Sequence, residues 1–385
     1  MAGKSAWRHL LLVSAAITPL LYGAAAEAQT AQAGPTATAK GGSNEVQEVI
    51  VTATRKEQSL SKVPESVSAF TAAKMEVQGV KSFADLAKFT PGVSFDEARH
   101  DIAIRGITSK AGSGTTGVYI DDTPIQMRAL GLNANNTLPA VFDLDRVEVL
   151  RGPQGTLFGA GSEGGTVRYI TPQPSLTHYT GFGHAELAST EHGALSYEGG
   201  AAVGGPIVED KLGFRVSAWF RRDGGWINRV DYQTLNTTDK NANRTDTIVL
   251  RGALAWAPTA DLLITPAINY QKRDQHNYDN YWVSISNPGS GQFLSGTPDR
   301  MADPDRYYMP TLKVEYSLGS VKFISNSAYY DRAEHVNGYS GTLYNLSYFQ
   351  QLIAAGTDPQ GNACGVGQCV TGPLLLPTGL NLPGF

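Results

Sequence analysis

The chain has 385 residues, a length that fits one large domain or two or three ordinary ones. Its 31 basic and 35 acidic residues give a formal charge of −4, which excludes a nucleic-acid binder held by a basic face and a polybasic membrane tether. With 42 glycines and 17 tyrosines but only 17% charged residues, against a usual glycine share of about 7%, the composition suits turn-rich β structure.

Residues 1–28 read as a secretory signal, with Lys4 and Arg8 as its basic segment, Leu10 to Leu21 as its apolar one and Ala26-Glu27-Ala28 as a cleavage site. The apolar run falls short of the roughly 20 residues that span a bilayer, and Pro19 interrupts it. No later run approaches that length. Any further crossing must therefore use β-strands, whose alternation fits a mean hydropathy of −0.21. Residues 29–45, rich in Ala, Gly, Thr and Gln, have the composition of a flexible periplasmic linker.

Residues 46–56 change texture. Glu48-Val49-Ile50-Val51-Thr52-Ala53-Thr54 packs β-branched residues into a short strand-former with no hairpin partner expected beside it. Periodicity alone leaves two readings open: a strand offered to another protein's sheet, or the first strand of the next domain.

Residues 57–172 mix α and β. Ser66 to Phe70 alternates as a strand, Thr71 can cap a helix through Val77, and Ser82 another through Lys88, stopped by Thr90-Pro91-Gly92. Ile102 to Ile107, Val118 to Ile120, Val147 to Leu150 and Thr166 to Ile170 read as strands around one core.

From residue 173 to 385 helical signals vanish and paired strands alternate. Leu195, Tyr197, Ala201 and Val203 share a face, as do Leu212, Phe214, Val216, Ala218 and Phe220 after a turn at Glu209-Asp210-Lys211, opposite Arg215 and Ser217. Ile248, Leu250, Leu254 and Trp256 pair with Leu262, Ile264, Ile268 and Tyr270, opposite Thr265, Asn269 and Gln271. A third pair runs near Leu312–Leu318 and Val321–Tyr330. Long loops at Asp223–Asp246 and Asp274–Pro310 alternate with short turns, the asymmetry of an outer-membrane barrel. The residues thus read as a compact α+β domain followed by antiparallel transmembrane β-barrel strands, which the resemblance given next makes an α+β plug domain followed by an incomplete antiparallel transmembrane β-barrel. Cys364 and Cys369, close together in a Gly-rich loop, are a disulfide candidate; the scattered histidines supply no zinc site beside them.

Three segments in order resemble the TonB-dependent receptors. Glu48 to Thr54 is similar to that family's TonB box, and Val118-Tyr119-Ile120-Asp121-Asp122-Thr123-Pro124 follows it. The most specific is Asp145-Arg146-Val147-Glu148-Val149-Leu150-Arg151-Gly152-Pro153-Gln154-Gly155-Thr156-Leu157-Phe158-Gly159, succeeded by Gly164-Gly165-Thr166-Val167. The resemblance favours a coupling peptide at Glu48 to Ala53. Gly159-Ala160-Gly161-Ser162-Glu163-Gly164 also spells a dinucleotide fingerprint, but a β-branched strand follows it where the pyrophosphate would need a helix N-terminus. Neither a Gly-x-Ser-x-Gly elbow nor a His-Glu-x-x-His helix occurs, so nothing argues for an enzyme.

The resemblance implies an outer-membrane importer. A barrel of about 22 strands closed by the plug takes up a scarce ligand, first of all an iron-siderophore chelate, with cobalamin, other metal chelates or oligosaccharides behind. Its TonB box, Glu48, Val49, Ile50, Val51, Thr52 and Ala53, adds as a strand to the TonB C-terminal domain in the periplasm. No cofactor is expected; iron would come only as a transported chelate. Ligand candidates are Phe95, Arg99, His100, Gln126 and Arg128 at plug apices and Trp226, Tyr281 and Trp282 in loops. Arg105, Glu148, Arg151 and Arg168 are expected to pair with barrel-wall acids, and Gly152, Gly155, Gly159, Gly164 and Gly165 to shape the plug. The remaining partners are outer-membrane lipid and the chelate, without nucleic acid. About seven strands follow residue 174, too few to close the family's barrel, so the chain is expected to be a fragment with no room before Glu45 for a signalling domain. The alternatives are a passive porin-like protein or adhesin, or the inert product of a truncated gene.

Overall fold

The computed structural model describes residues 48–97, 100–108, 114–126, 138–231, 234–297 and 299–335. The expected signal and linker, Arg99, Arg128, Cys364 and Cys369 lie outside the described residues.

Two short strands, β1 (Ile50–Val51) and β2 (Gln58–Ser59), pair with each other ahead of the globular domain. Strand β3 (Ser66–Thr71) opens that domain and leads into helices α1 (Ala72–Val77) and α2 (Phe83–Lys88). The Thr71 and Ser82 side chains accept the N–H groups of Lys74 and Asp85, which a helix start leaves unpaired, so both expected caps are in place. Asp85 reciprocates to the Ser82 N–H, completing a capping box.

A hairpin of β4 (Val93–Asp96) and β5 (Asp101–Ile104) follows, then β6 (Thr116–Ile120), β7 (Thr123–Pro124), β8 (Arg146–Arg151), the single-turn helix α3 (Gly155–Phe158) and β9 (Gly165–Ile170). Five strands form one sheet in the order β3-β8-β9-β6-β7, antiparallel except where β6 runs parallel to β9. Strand β6 is buried throughout, and β8 and β9 are buried except at their ends. Burial on both faces encloses even the charged Glu148 and Arg168 in the middle of β8 and β9. Helix α2 packs Phe83 and Leu86 into the same core as Ile104, Val149 and Tyr169.

At the start of β9, Gly165 admits no side chain: a Cβ there would run into the Leu150 carbonyl and the Ile104 side chain. Gly152, Gly155, Gly159 and Gly164 surround α3 in the turn joining β8 to β9.

The second half is one antiparallel sheet. Its strands are β10 (Thr180–Ser189), β11 (Leu195–Val208), β12 (Leu212–Asp223), β15 (Thr245–Thr259), β16 (Leu262–Gln275), β18 (Asp303–Leu318), β19 (Val321–Ala328) and β20 (Asp331–Glu334). Strands β19 and β20 both pair with β18, on either side of an interruption at Tyr329–Tyr330. Small strands β13 (Asn228–Val230), β14 (Thr237–Asp239) and β17 (Leu294–Ser295) form a separate sheet in the long loops.

Alternation settles which way the sheet faces. Val203, Val216, Leu250, Ile268, Leu312 and Phe323 are exposed on one side, whereas Ser217, Thr265, Asn269 and Gln271 are buried on the other. An apolar outer face with a polar inner one is the pattern of a transmembrane barrel wall. The strand now numbered β18 begins at Asp303, well before the expected Leu312, so the second long loop is shorter than its sequence suggested. Its register is fixed by pairs such as Leu312 with Ser327.

Candidate functional site

The expected coupling strand, Glu48 to Ala53, is extended only at Ile50–Val51, and it has a hairpin partner that the sequence reading did not foresee. The reason is the turn at 52–57, where Arg55 takes a left-handed conformation and donates its N–H to the Thr52 carbonyl at 2.9 Å, folding Gln58–Ser59 back onto β1. The hairpin remains outside the five-stranded sheet. Val51 and Ala53 are fully buried beside Ala69, Tyr119, Leu150 and Phe158, while Ile50 is exposed.

Thr52 is held by charged groups of the central strands. Its N–H donates to Glu148 Oε1 at 2.8 Å and its carbonyl accepts from Arg168 Nη1 at 2.7 Å. The Thr52 hydroxyl accepts from the same Arg168 nitrogen at 2.6 Å and from Arg146 at 3.2 Å. Glu148 pairs in turn with Arg168 and with Arg146, at 2.8 Å each, and Arg168 with Asp122 at 3.1 Å. Arg55 closes the network by pairing with Asp122 at 3.2 Å and lying over the Phe158 ring at 4.8 Å. Beside it, Asp121 accepts the N–H and hydroxyl of Thr171, yet burial of its carboxyl holds it above the usual carboxylate range.

These contacts correct the expectation that Glu148 and Arg168 pair with barrel-wall acids. Glu148 and Arg168 lie opposite each other on β8 and β9, so their charges neutralise within the sheet. Arg151 donates to the Pro91 carbonyl at 3.0 Å, and Arg105 ties its backbone N–H to Gly92 at 2.7 Å in a turn where it adopts a positive φ.

The wall is reached instead from residues 138–143. Gln271 on β16 donates to the Leu138 carbonyl at 3.0 Å and accepts the Ala140 N–H at 2.8 Å, serving as a neighbouring strand would. Arg251 on β15 donates to the carbonyls of Phe142 and Asp143, and Arg215 on β12 pairs with the Asp143 carboxylate. Phe142 stacks on Trp219 with centroids 5.7 Å apart. Lys81 after α1 pairs with Glu186 on β10, and Tyr307 and Met309 of β18 join the plug core. Arg215 and Gln271 had been placed on the inward face by alternation; which plug residues they meet had no sequence signal, because such pairs are far apart in the chain.

The ligand candidates separate. Phe95 packs edge-on against Phe83 at 5.4 Å and stacks with His100 at 6.3 Å, so it braces the β4–β5 hairpin against α2 instead of standing free. Gln126 spends its amide on the Gly114 carbonyl at 2.9 Å. Trp226 and Tyr281 meet edge-to-face at 6.1 Å, each also edge-on to Phe293, and the Trp282 backbone N–H donates to the Leu294 carbonyl at 2.8 Å, so these aromatics pack within the long loops. The side chains of Phe95, His100, Gln126, Trp226, Tyr281 and Trp282 are half-buried. Among the described residues, His184, Glu186 and Glu198 are near enough to share a metal, but Lys81 and Arg221 already pair with the two carboxylates.

A mixed plug tied by backbone and charge to the polar face of an antiparallel, apolar-backed sheet defines a plugged barrel protein of the outer membrane. Residues 59–166 match the TonB-dependent receptor plug domain. A ferripyoverdine receptor of Pseudomonas aeruginosa is 30% identical over 229 residues, 58% of this chain and 25% of that protein. The vitamin B12 transporter BtuB of Vibrio vulnificus is 29% identical over 62% of this chain and 47% of its own length. In fold, the ferric yersiniabactin uptake receptor FyuA from Yersinia pestis superposes with a TM-score of 0.58 at 22% identity, covering 71% of this chain and 42% of that one. The chain is thus similar to the TonB-dependent receptors, with their plug domain matched at residues 59–166, and it spans less than half the length of these relatives.

Proposed function

We propose that this protein takes part in active uptake of a scarce ligand across the outer membrane, an iron-siderophore chelate first and cobalamin second, with energy delivered by the TonB C-terminal domain. The observation that carries the reading is the short β1 strand at the plug margin, outside the main sheet and with Ile50 exposed. An extended segment in that position can add to another protein's sheet edge. The ligand classes come from relatives named as receptors for ferripyoverdine and ferric yersiniabactin and as a vitamin B12 transporter. In this reading the protein binds and moves cargo without covalent chemistry; it carries no resident cofactor, and iron is cargo inside its chelate.

The test is Val51→Pro, which removes a backbone donor and fixes φ in the coupling strand. Cells carrying the variant should lose energy-dependent uptake of labelled ferric chelate while still displaying the protein at the surface. Unchanged uptake would overturn the reading.

A further inference from the structure

Alternation puts every second residue of a wall strand on its inner face, and register decides which of these stand side by side. Ser217 on β12 faces Arg251 on β15, and Arg251 faces Asn269 on β16, so the three form one row across the polar side of the sheet. With Arg215, two residues before Ser217, they line a cavity of about 30 Å³ whose plug side is Asp143, Thr171 and Pro172. That is room for about two water-sized bodies.

The groups around this cavity are short of acceptors and of negative charge. Arg251 gives Nη1 to the Phe142 and Asp143 carbonyls, but its Nη2 is buried with no hydrogen-bond partner among the described residues, and so is the Ser217 hydroxyl. A guanidinium can only donate. Asp143 is engaged by Arg215 through both carboxylate oxygens, and Arg251 forms no ion pair among the described residues. Asp121, another acid acting on Arg251, turns its oxygens to the N–H and hydroxyl of Thr171 at 2.8 Å each. An enclosed cation without a counter-ion is costly, and a water can accept from both donors but cannot cancel the charge.

We propose that this cavity is a binding site for a small monovalent anion, chloride, which accepts from Arg251 Nη2 and the Ser217 hydroxyl and ties the plug to the wall. A halide accepts from any direction and donates nothing, which suits two donors that lack an acceptor. Five-atom sulfate exceeds the space. Arg215 and Arg251 are each half-buried, so a small ion can reach the cavity from solvent. Bound there, it reinforces the contact that residues 138–143 make with the wall, and it lies beside Thr171, where the chain leaves the plug sheet. The site is independent of which cargo is carried and of how energy is delivered.

The test follows protease cleavage of the plug against urea, for the whole protein purified from outer membranes in detergent, as chloride replaces gluconate at fixed ionic strength. Gluconate is too bulky to enter, and constant ionic strength holds screening equal. The urea concentration at half-cleavage should climb with chloride and then level off, as binding to the folded state requires. Ser217→Ala should raise the half-saturating chloride concentration about fivefold, the effect of one lost hydrogen bond. Arg251→Gln keeps a donor but removes the charge, and should abolish the response. If that variant fails to hold its plug, Ser217→Ala decides alone. A cleavage midpoint no higher in chloride than in gluconate means that the cavity holds water only, and it overturns the proposal. A Ser217→Ala response equal to the native one overturns it too, because chloride then acts elsewhere.

Discussion

Asp85 accepts hydrogen bonds from the Lys81 and Ser82 N–H groups, the Ser82 hydroxyl and the Lys88 ammonium. Burial pushes its carboxyl up, but the bonds from Lys88, Lys81 and Ser82 outweigh that and hold it below the usual carboxylate range. A carboxyl depressed on folding contributes stability above its unfolded value and loses it as pH falls through the folded one. Thermal unfolding should therefore show a loss beginning below about pH 4, and Asp85→Asn should flatten it; equal acid slopes would refute the assignment. Ser82→Ala should cost about 1 kcal/mol at neutral pH through the lost cap. Gly165→Ala has a different cause, since its methyl would press on the Leu150 carbonyl, and should lower stability by about 2 kcal/mol or more in the same measurement.

At the scale of elements, the legible parts were those whose signal is local. Helices α1 and α2 followed from Thr71, Ser82 and the Thr90-Pro91-Gly92 stop, because a cap acts within one turn. The alternation of β12 named its outer and inner faces from sequence spacing alone. Placing a charge at the middle of its outer face, Val216→Arg, should destabilise the protein in lipid by about 2–4 kcal/mol if that residue lies near the bilayer midplane. Unfolding from vesicles against denaturant checks it, with Ser217→Thr on the inner face as a comparison expected to have a small effect. The β1–β2 hairpin was not legible, since it depends on a left-handed Arg55, a residue type that seldom marks a turn. The single turn α3 was also missed, being too short for any period to register.

For the whole molecule, the plug is held to the wall by residues 138–143, where Arg251, Gln271 and Arg215 supply bonds that the plug's own chain leaves unmade. Arg251→Leu leaves the Phe142 and Asp143 carbonyls without that donor, at a cost of about 1–3 kcal/mol. The plug should then be cut by protease at lower urea concentration than in the native protein, while the wall strands stay protected. Protection unchanged from native would show that these bonds do not hold the plug. The sheet is open between β10 and β19 among the described residues, so closing it against lipid requires further strands, whichever chain provides them.

By itself the sequence determined the elements whose causes lie within a few residues: capped helices, alternating wall strands with an apolar outer face, and glycines where strands turn tightly. Its motif order also pointed to the plug domain that residues 59–166 match. Only the tertiary structure decided which charges meet, turning Glu148 and Arg168 from expected wall contacts into the pair that holds Thr52. Such pairings join residues some twenty to more than a hundred positions apart, and a charge carries no mark of its partner until folding brings the strands together.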